Sequence, residues 1–159
     1  MPTQLIHTVT SVATALQTRQ AMLACAESCT GGWIAKILTD QPGSSAWFER
    51  GLVTYSNLAK YQLLGVPLDM LDEYGAVSQP VAEAMVRGAL SQSAADYAVA
   101  VTGIAGPEGG SADKPVGTVW LAWAGPEEVT SQLANFSGDR EQVRLATVQA
   151  ALDGLLAIM

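Results

Sequence analysis

The sequence predicts a single-domain, three-layer α/β/α sandwich with a mixed central sheet. Three observations carry this. Short, wholly apolar runs of strand length alternate with helical stripes, the pattern of strands covered on both faces. A pair of apolar runs near the C-terminus is joined by Gly125-Pro126-Glu127-Glu128, as in a hairpin, which adds antiparallel pairing to a parallel core. Finally, 159 residues fit one domain comfortably and two only awkwardly.

The elements follow in order. Leu5, Val9, Val12, Ala13 and Leu16 form a helical stripe over residues 4–18. Ala21–Ala26 is a buried strand, broken by Glu27-Ser28-Cys29-Thr30-Gly31-Gly32, and Trp33–Leu38 is a helix ending near Pro42-Gly43. Gly51–Ser56 is rich in strand formers. Asn57 is placed as the N-cap of a helix through Leu64, with Gly65 just past its end and Pro67 beyond. Ser78-Gln79-Pro80 opens a helix to about Gln92, with proline in its first turn. Tyr97–Thr102 is a third apolar strand, and Gly103–Val116 a glycine- and proline-rich loop. Gly117–Ala124 and Val129–Phe136 form the hairpin, and Ser137 is expected to cap a last helix from about Gly138 to Leu156. The order is α-β-α-β-α-α-β-β-β-α. Loops that follow the strands gather at one sheet edge, where α/β proteins place their sites.

Composition excludes several functions. Eight basic against fifteen acidic side chains give a net charge of −7, which argues against a grip on a nucleic-acid polymer. The longest apolar runs, Ala21–Ala26 and Val119–Ala124, are six residues each, far short of the ~20 a spanning helix needs. The N-terminus has no basic and apolar leader pattern. Cys25 and Cys29 make no disulfide framework, so a reduced cytoplasmic setting is the expectation. His7 is the single histidine, which excludes a histidine-rich zinc site. If the protein is an enzyme, its base is expected to be something other than histidine.

Four segments are candidates for chemistry. In Ala26-Glu27-Ser28-Cys29-Thr30-Gly31-Gly32, a hydroxyl stands at a strand end. The glycines allow close backbone approach, and the helix behind favours a phosphate or a developing oxyanion. Alternatively Ser28 or Thr30 merely caps the helix. Cys29 is a rival nucleophile without a nearby histidine to activate it. In Thr54-Tyr55-Ser56-Asn57-Leu58-Ala59-Lys60, Lys60 is the remaining common proton acceptor for a serine, unless it is an ordinary surface lysine. A free lysine titrates near ~10.4, so bringing it to ~7–8 takes roughly 3–5 kcal/mol of desolvation or like-charge repulsion. Lys60 would therefore have to be buried. Val101-Thr102-Gly103-Ile104-Ala105-Gly106-Pro107-Glu108-Gly109-Gly110 matches neither G-x-G-x-x-G nor a Walker A loop, yet glycines after a buried strand suit close ligand contact, unless the segment is only a long flexible loop. In Phe136-Ser137-Gly138-Asp139-Arg140, a cation stands where a helix dipole prefers an anion. Either a bound anion or pairing with Asp139 or Glu141 would explain it. Ser111-Ala112-Asp113-Lys114 imitates Ser-x-x-Lys, but Pro115 forbids the helix that this spacing needs.

These motifs, with Gly75-Ala76-Val77-Ser78 and Lys114-Pro115-Val116-Gly117-Thr118-Val119 between them, follow one another in the order of a known family. Over about residues 5–158 the chain resembles the nicotinamide-nucleotide amidases, the family of the C-terminal domain of the competence/damage-inducible protein CinA. The resemblance implies hydrolysis of nicotinamide mononucleotide to nicotinic acid mononucleotide and ammonia, in pyridine-nucleotide salvage. It implies Ser28 as nucleophile and Tyr55 and Lys60 as its acid/base partners. It also implies substrate contacts from Thr102, Gly103, Ile104, Ala105, Gly106 and Arg140. Thr30, Gly31 and Gly32 are expected to join these contacts, and neither metal nor cofactor is expected. Larger members carry an N-terminal domain for which this length leaves no room. A nucleotide-binding module without turnover, and a Ser/Lys hydrolase of another amide, are the alternatives. Trp33, Trp47, Trp120 and Trp123 suggest apolar surface covered in a homodimer.

Overall fold

The computed structural model describes residues 1–159. Its elements are α1 (Thr3–Thr18), β1 (Leu23–Glu27), α2 (Trp33–Thr39), a 3₁₀ turn (Ser44–Ala46), β2 (Phe48–Val53), α3 (Asn57–Leu64), α4 (Leu68–Tyr74), α5 (Gln79–Ser91), β3 (Tyr97–Gly103), β4 (Thr118–Ala124), β5 (Val129–Asn135) and α6 (Arg140–Ile158). The sheet order is β2-β1-β3-β4-β5. β1 runs parallel to β2 and β3, and β4 is antiparallel to β3 and β5. This is the expected three-layer sandwich with a mixed sheet.

Strand alternation sorts the core. Leu23, Cys25, Val99, Val101, Val119, Leu121 and Trp123 point to the face covered by α1, α2 and α6. Ala26, Ala98, Ala100, Ala122 and Ala124 point to the opposite face, under α5. One face is thus built from large side chains and the other from alanine, which lets α5 lie close to the sheet. Gly88 serves the same purpose on the outer side of α5, because a side chain there would run into the Leu64 carbonyl.

Several boundaries differ from expectation. β2 is three residues earlier than the predicted strand, because its ladder with β1 ends where β1 ends, at the Glu27–Val53 pair. Thr54–Ser56 therefore form the connection into α3. Ser56, not Asn57, caps α3, its Oγ accepting from the Ala59 N–H at 3.0 Å. Asp139, not Ser137, caps α6, in a reciprocal capping box with Gln142. α4 was not foreseen. It is seven residues long and buries only Leu71, too short a stripe to show as periodicity. Trp47 and Trp123 are buried and Trp33 and Trp120 half-buried, so the tryptophans belong to the core and give no ground for a dimer face. No helix is long and apolar enough to cross a membrane.

Candidate active site

The site begins with a buried acid. All five residues of β1 are buried, and Glu27, its last, is 0% exposed. Alternation turns its side chain to the α2 face. There Oε1 accepts from Thr30 Oγ1 at 2.6 Å and from the Gly32 and Ile34 N–H groups at 3.2 and 2.9 Å. Oε2 accepts from the Ala35 N–H at 3.0 Å. The turn requires glycine, since Gly31 and Gly32 have φ of 61° and 102°. Glu27 thus fills the start of α2 that the sequence had offered to a ligand. Thr30 is fully buried against Glu27. Gly31 and Gly32 line a shallow hollow with Trp33, Lys36 and Arg144. None of the three lines the pocket onto which Ser28 opens.

Ser28 is fixed through its N–H, which donates to the Val101 carbonyl of β3 at 3.1 Å. Its side chain faces α3. The Ser56 cap and Gly65, at φ 69°, bound α3 to eight residues and place Lys60 one turn in, aimed back at the end of β1. Lys60 Nζ lies 3.0 Å from Ser28 Oγ and donates to the Thr54 carbonyl at 2.8 Å. Lys60 is 1% exposed and has no carboxylate within salt-bridge reach. Burial pulls its amine below the usual 10.5, against a smaller opposing effect of Cys29. Burial also pushes the neighbouring Cys29 thiol up to about 12, so it stays protonated and is no rival nucleophile.

Around this pair lies a pocket of about 310 Å³. It opens beyond the carboxyl ends of β1 and β3, where the chain leaves the two strands in opposite directions, the switch point of an α/β sheet. The loop after β3 forms one wall with Thr102, Gly103, Ile104, Ala105 and Gly106. Thr102 is buried, and its hydroxyl donates to the Ala76 carbonyl at 2.9 Å. A side chain at Gly103 would press on Val119, and one at Gly106, whose φ is 80°, would collide with Val116. The peptide N–H groups of Cys29, Ala105 and Gly106 donate to no other residue of the protein.

Arg140, the first residue of α6, stands exposed at the rim. It donates to the Gly106 carbonyl at 2.8 Å and to Tyr55 Oη at 3.1 Å, and pairs with neither Asp139 nor Glu141. Tyr55 is 62% exposed, and its hydroxyl bonds Arg140 rather than Ser28 or Lys60. The expected trio is therefore a buried pair with a tyrosine at the mouth.

Asn57, Ala76 and Val77, to which the sequence assigns no ligand contact, also line the pocket, together with Glu108 and Gly109 of the glycine-rich candidate loop. Gly75 was a usable signal. Its φ of 76° stops α4 and turns Ala76-Val77 into the pocket, while Lys114 Nζ holds the Tyr74 carbonyl at 2.8 Å. Lys114 reaches it from a turn in which its N–H bonds Ser111 Oγ, so the Ser-x-x-Lys match is a turn and not a helix. His7 is exposed on α1, outside the pocket.

Comparison with known proteins gives consistent results. Residues 6–159 match the CinA C-terminal domain family. The chain is 61% identical over 138 residues to a Pseudomonas putida protein named nicotinamide-nucleotide amidohydrolase PncC, covering 87% of this chain and 86% of that one. It is 65% identical over 135 residues to a CinA-like protein of Geotalea daltonii, covering 85% of this chain but only 33% of that longer relative. The crystal structure of the competence/damage inducible protein CihA from Agrobacterium tumefaciens superposes with a TM-score of 0.97 at 46% identity, over 99% of this chain and 97% of the other. The chain belongs to the CinA C-terminal domain family.

Proposed function

We propose that the protein hydrolyses the carboxamide of nicotinamide mononucleotide, releasing nicotinic acid mononucleotide and ammonia, as a step in pyridine-nucleotide salvage. One observation carries the chemistry. A serine hydroxyl and a buried lysine amine stand 3.0 Å apart on the floor of a pocket, and the amine has no counter-ion. The name of the Pseudomonas putida relative supports the substrate.

In this reading neutral Lys60 takes the proton of Ser28 as Oγ attacks the carboxamide carbon. The C=O electrons move to oxygen, and the N–H groups of Cys29, Ala105 and Gly106 are the candidate donors to it. Protonated Lys60 returns the proton to the leaving nitrogen, ammonia departs and an acyl-Ser28 ester remains. Water, deprotonated by the same amine, then releases the acid and restores the serine. Arg140, held by Gly106 and Tyr55, offers positive charge to the substrate's phosphate at the rim of a protein of net charge −7.

Ammonia release from nicotinamide mononucleotide, run beside a small panel of other amides, tests the reading. Turnover by the wild type, its loss in folded Ser28→Ala and indifference to chelators are expected. Binding without product would leave a nucleotide-binding module. Turnover of another amide alone would reassign the substrate, and full activity of Ser28→Ala would refute the nucleophile.

A further inference from the structure

We infer that Arg144 is a positioning residue of this site, holding and polarising the N–H next to the nucleophile without touching substrate. The inference rests on the acyl-serine reading above and adds a residue to it.

Arg144 lies on α6, one turn beyond Arg140, but its side chain goes elsewhere. It is absent from the lining of the Ser28 pocket and approaches the β1–α2 turn from behind. Its Nε donates to the Cys29 carbonyl at 3.1 Å and its Nη2 to the Thr30 carbonyl at 3.0 Å. The guanidinium carbon stands 5.5 Å over the Trp33 ring, which holds the fork in place. A planar fork on two successive carbonyls fixes both peptide planes, which a lysine could not do.

The fixed planes lead to the nucleophile. The Thr30–Gly31 peptide is trans, so the bond at the Thr30 oxygen faces away from the Gly31 N–H at its other end. That N–H donates to the Ser28 carbonyl at 3.0 Å. The Ser28 carbonyl belongs in turn to the peptide whose far end is the Cys29 N–H, which donates to no other residue and whose residue lines the pocket. The positive charge of Arg144 therefore acts at one end of a chain of aligned peptides that ends on the N–H of the residue following Ser28. Each hydrogen bond in such a chain strengthens the next. A donor in this place, following the nucleophile, suits the oxygen of a tetrahedral intermediate. The benefit falls on the transition state, hence on kcat rather than KM.

The test is ammonia release from nicotinamide mononucleotide by the wild type, Ser28→Ala, Arg144→Ala and Arg144→Lys, each checked for folding by thermal melting. For Arg144→Ala we expect kcat to fall about tenfold or more, toward the 10²–10³-fold cost of a lost oxyanion donor, with KM within about twofold. Added methylguanidinium should restore part of that kcat and do nothing for Ser28→Ala. If Arg144→Ala does not fold, Arg144→Lys carries the test, with a smaller loss again confined to kcat. An active wild type whose folded Arg144 variants keep their kcat, or lose only in KM, overturns this inference alone. An inactive wild type, or a fully active Ser28→Ala, overturns the acyl-serine reading and this inference with it.

Discussion

Glu27 and Lys60 are both buried ionisable residues, 0% and 1% exposed, on either side of Ser28, yet their surroundings are opposite. Glu27 is saturated, with three backbone N–H groups and the Thr30 hydroxyl on its two oxygens. Lys60 has two neutral partners, Ser28 Oγ and the Thr54 carbonyl, and no carboxylate. A carboxylate met by that many donors is stabilised where it is and anchors structure. An amine desolvated without a counter-ion is held toward its neutral form, which is the form that can take a proton. In the proposed reaction it is partners, not burial, that separate the anchor from the base.

The largest effect should come from breaking the reactive half. Ser28→Ala and Lys60→Met should each lower kcat for ammonia release by at least about 10³-fold. The double variant should be scarcely worse than either, because residues that act as a unit are not additive. Lys60→Met should also melt higher than the wild type at pH 7. The folded amine titrates below 10.5, so between that lowered value and 10.5 the unfolded chain binds a proton that the folded chain lacks. Stability contributed by the neutral amine is therefore lost as pH falls across this window. The advantage of Lys60→Met in Tm should shrink as pH approaches 10.5.

Breaking the anchor should have the reverse signature. Glu27→Gln keeps the shape but replaces an oxygen that accepts by a nitrogen that donates. A hydrogen bond to a charged group is worth about 1.5–3 kcal/mol. Losing one such bond should lower Tm by roughly 3–12 °C in a chain of this size. Activity should fall less than in Lys60→Met, through displacement of Ser28. The smallest effect should be that of Tyr55→Phe. Its hydroxyl bonds only Arg140, so kcat should fall less than about tenfold, with the larger change in KM. A loss in Tyr55→Phe as deep as in Lys60→Met would place the tyrosine in the proton path.

The two halves were unequally legible in the sequence. The apolar runs of β1, β3 and β4 announce the sheet, because fully covered strands have no polar face to hide them. The scarcity of histidine directs attention to Lys60, and a lysine base for Ser28 has to be buried, as Lys60 is. Glu27 was legible only as the residue that ends an apolar run, since its partners are backbone N–H groups, which leave no mark on sequence. Arg144 was missed for the same reason, its partners being carbonyls more than a hundred positions away. Phe48-Glu49-Arg50 carry charge because β2 is an edge strand, so its start did not show as a strand. The exposure of Tyr55 follows from where β2 ends, and that is set by β1.

The proposed reaction stands or falls with Lys60 as the base. Its most direct test is an NMR titration of lysine side chains labelled at Cε, with Lys60→Met identifying the resonance, beside the pH dependence of kcat/KM. Lys60 is expected to titrate below the ordinary 10.5, with the acid limb of the rate profile following the same midpoint. A Lys60 that titrates at or above 10.5, or an acid limb unrelated to its midpoint, would contradict it.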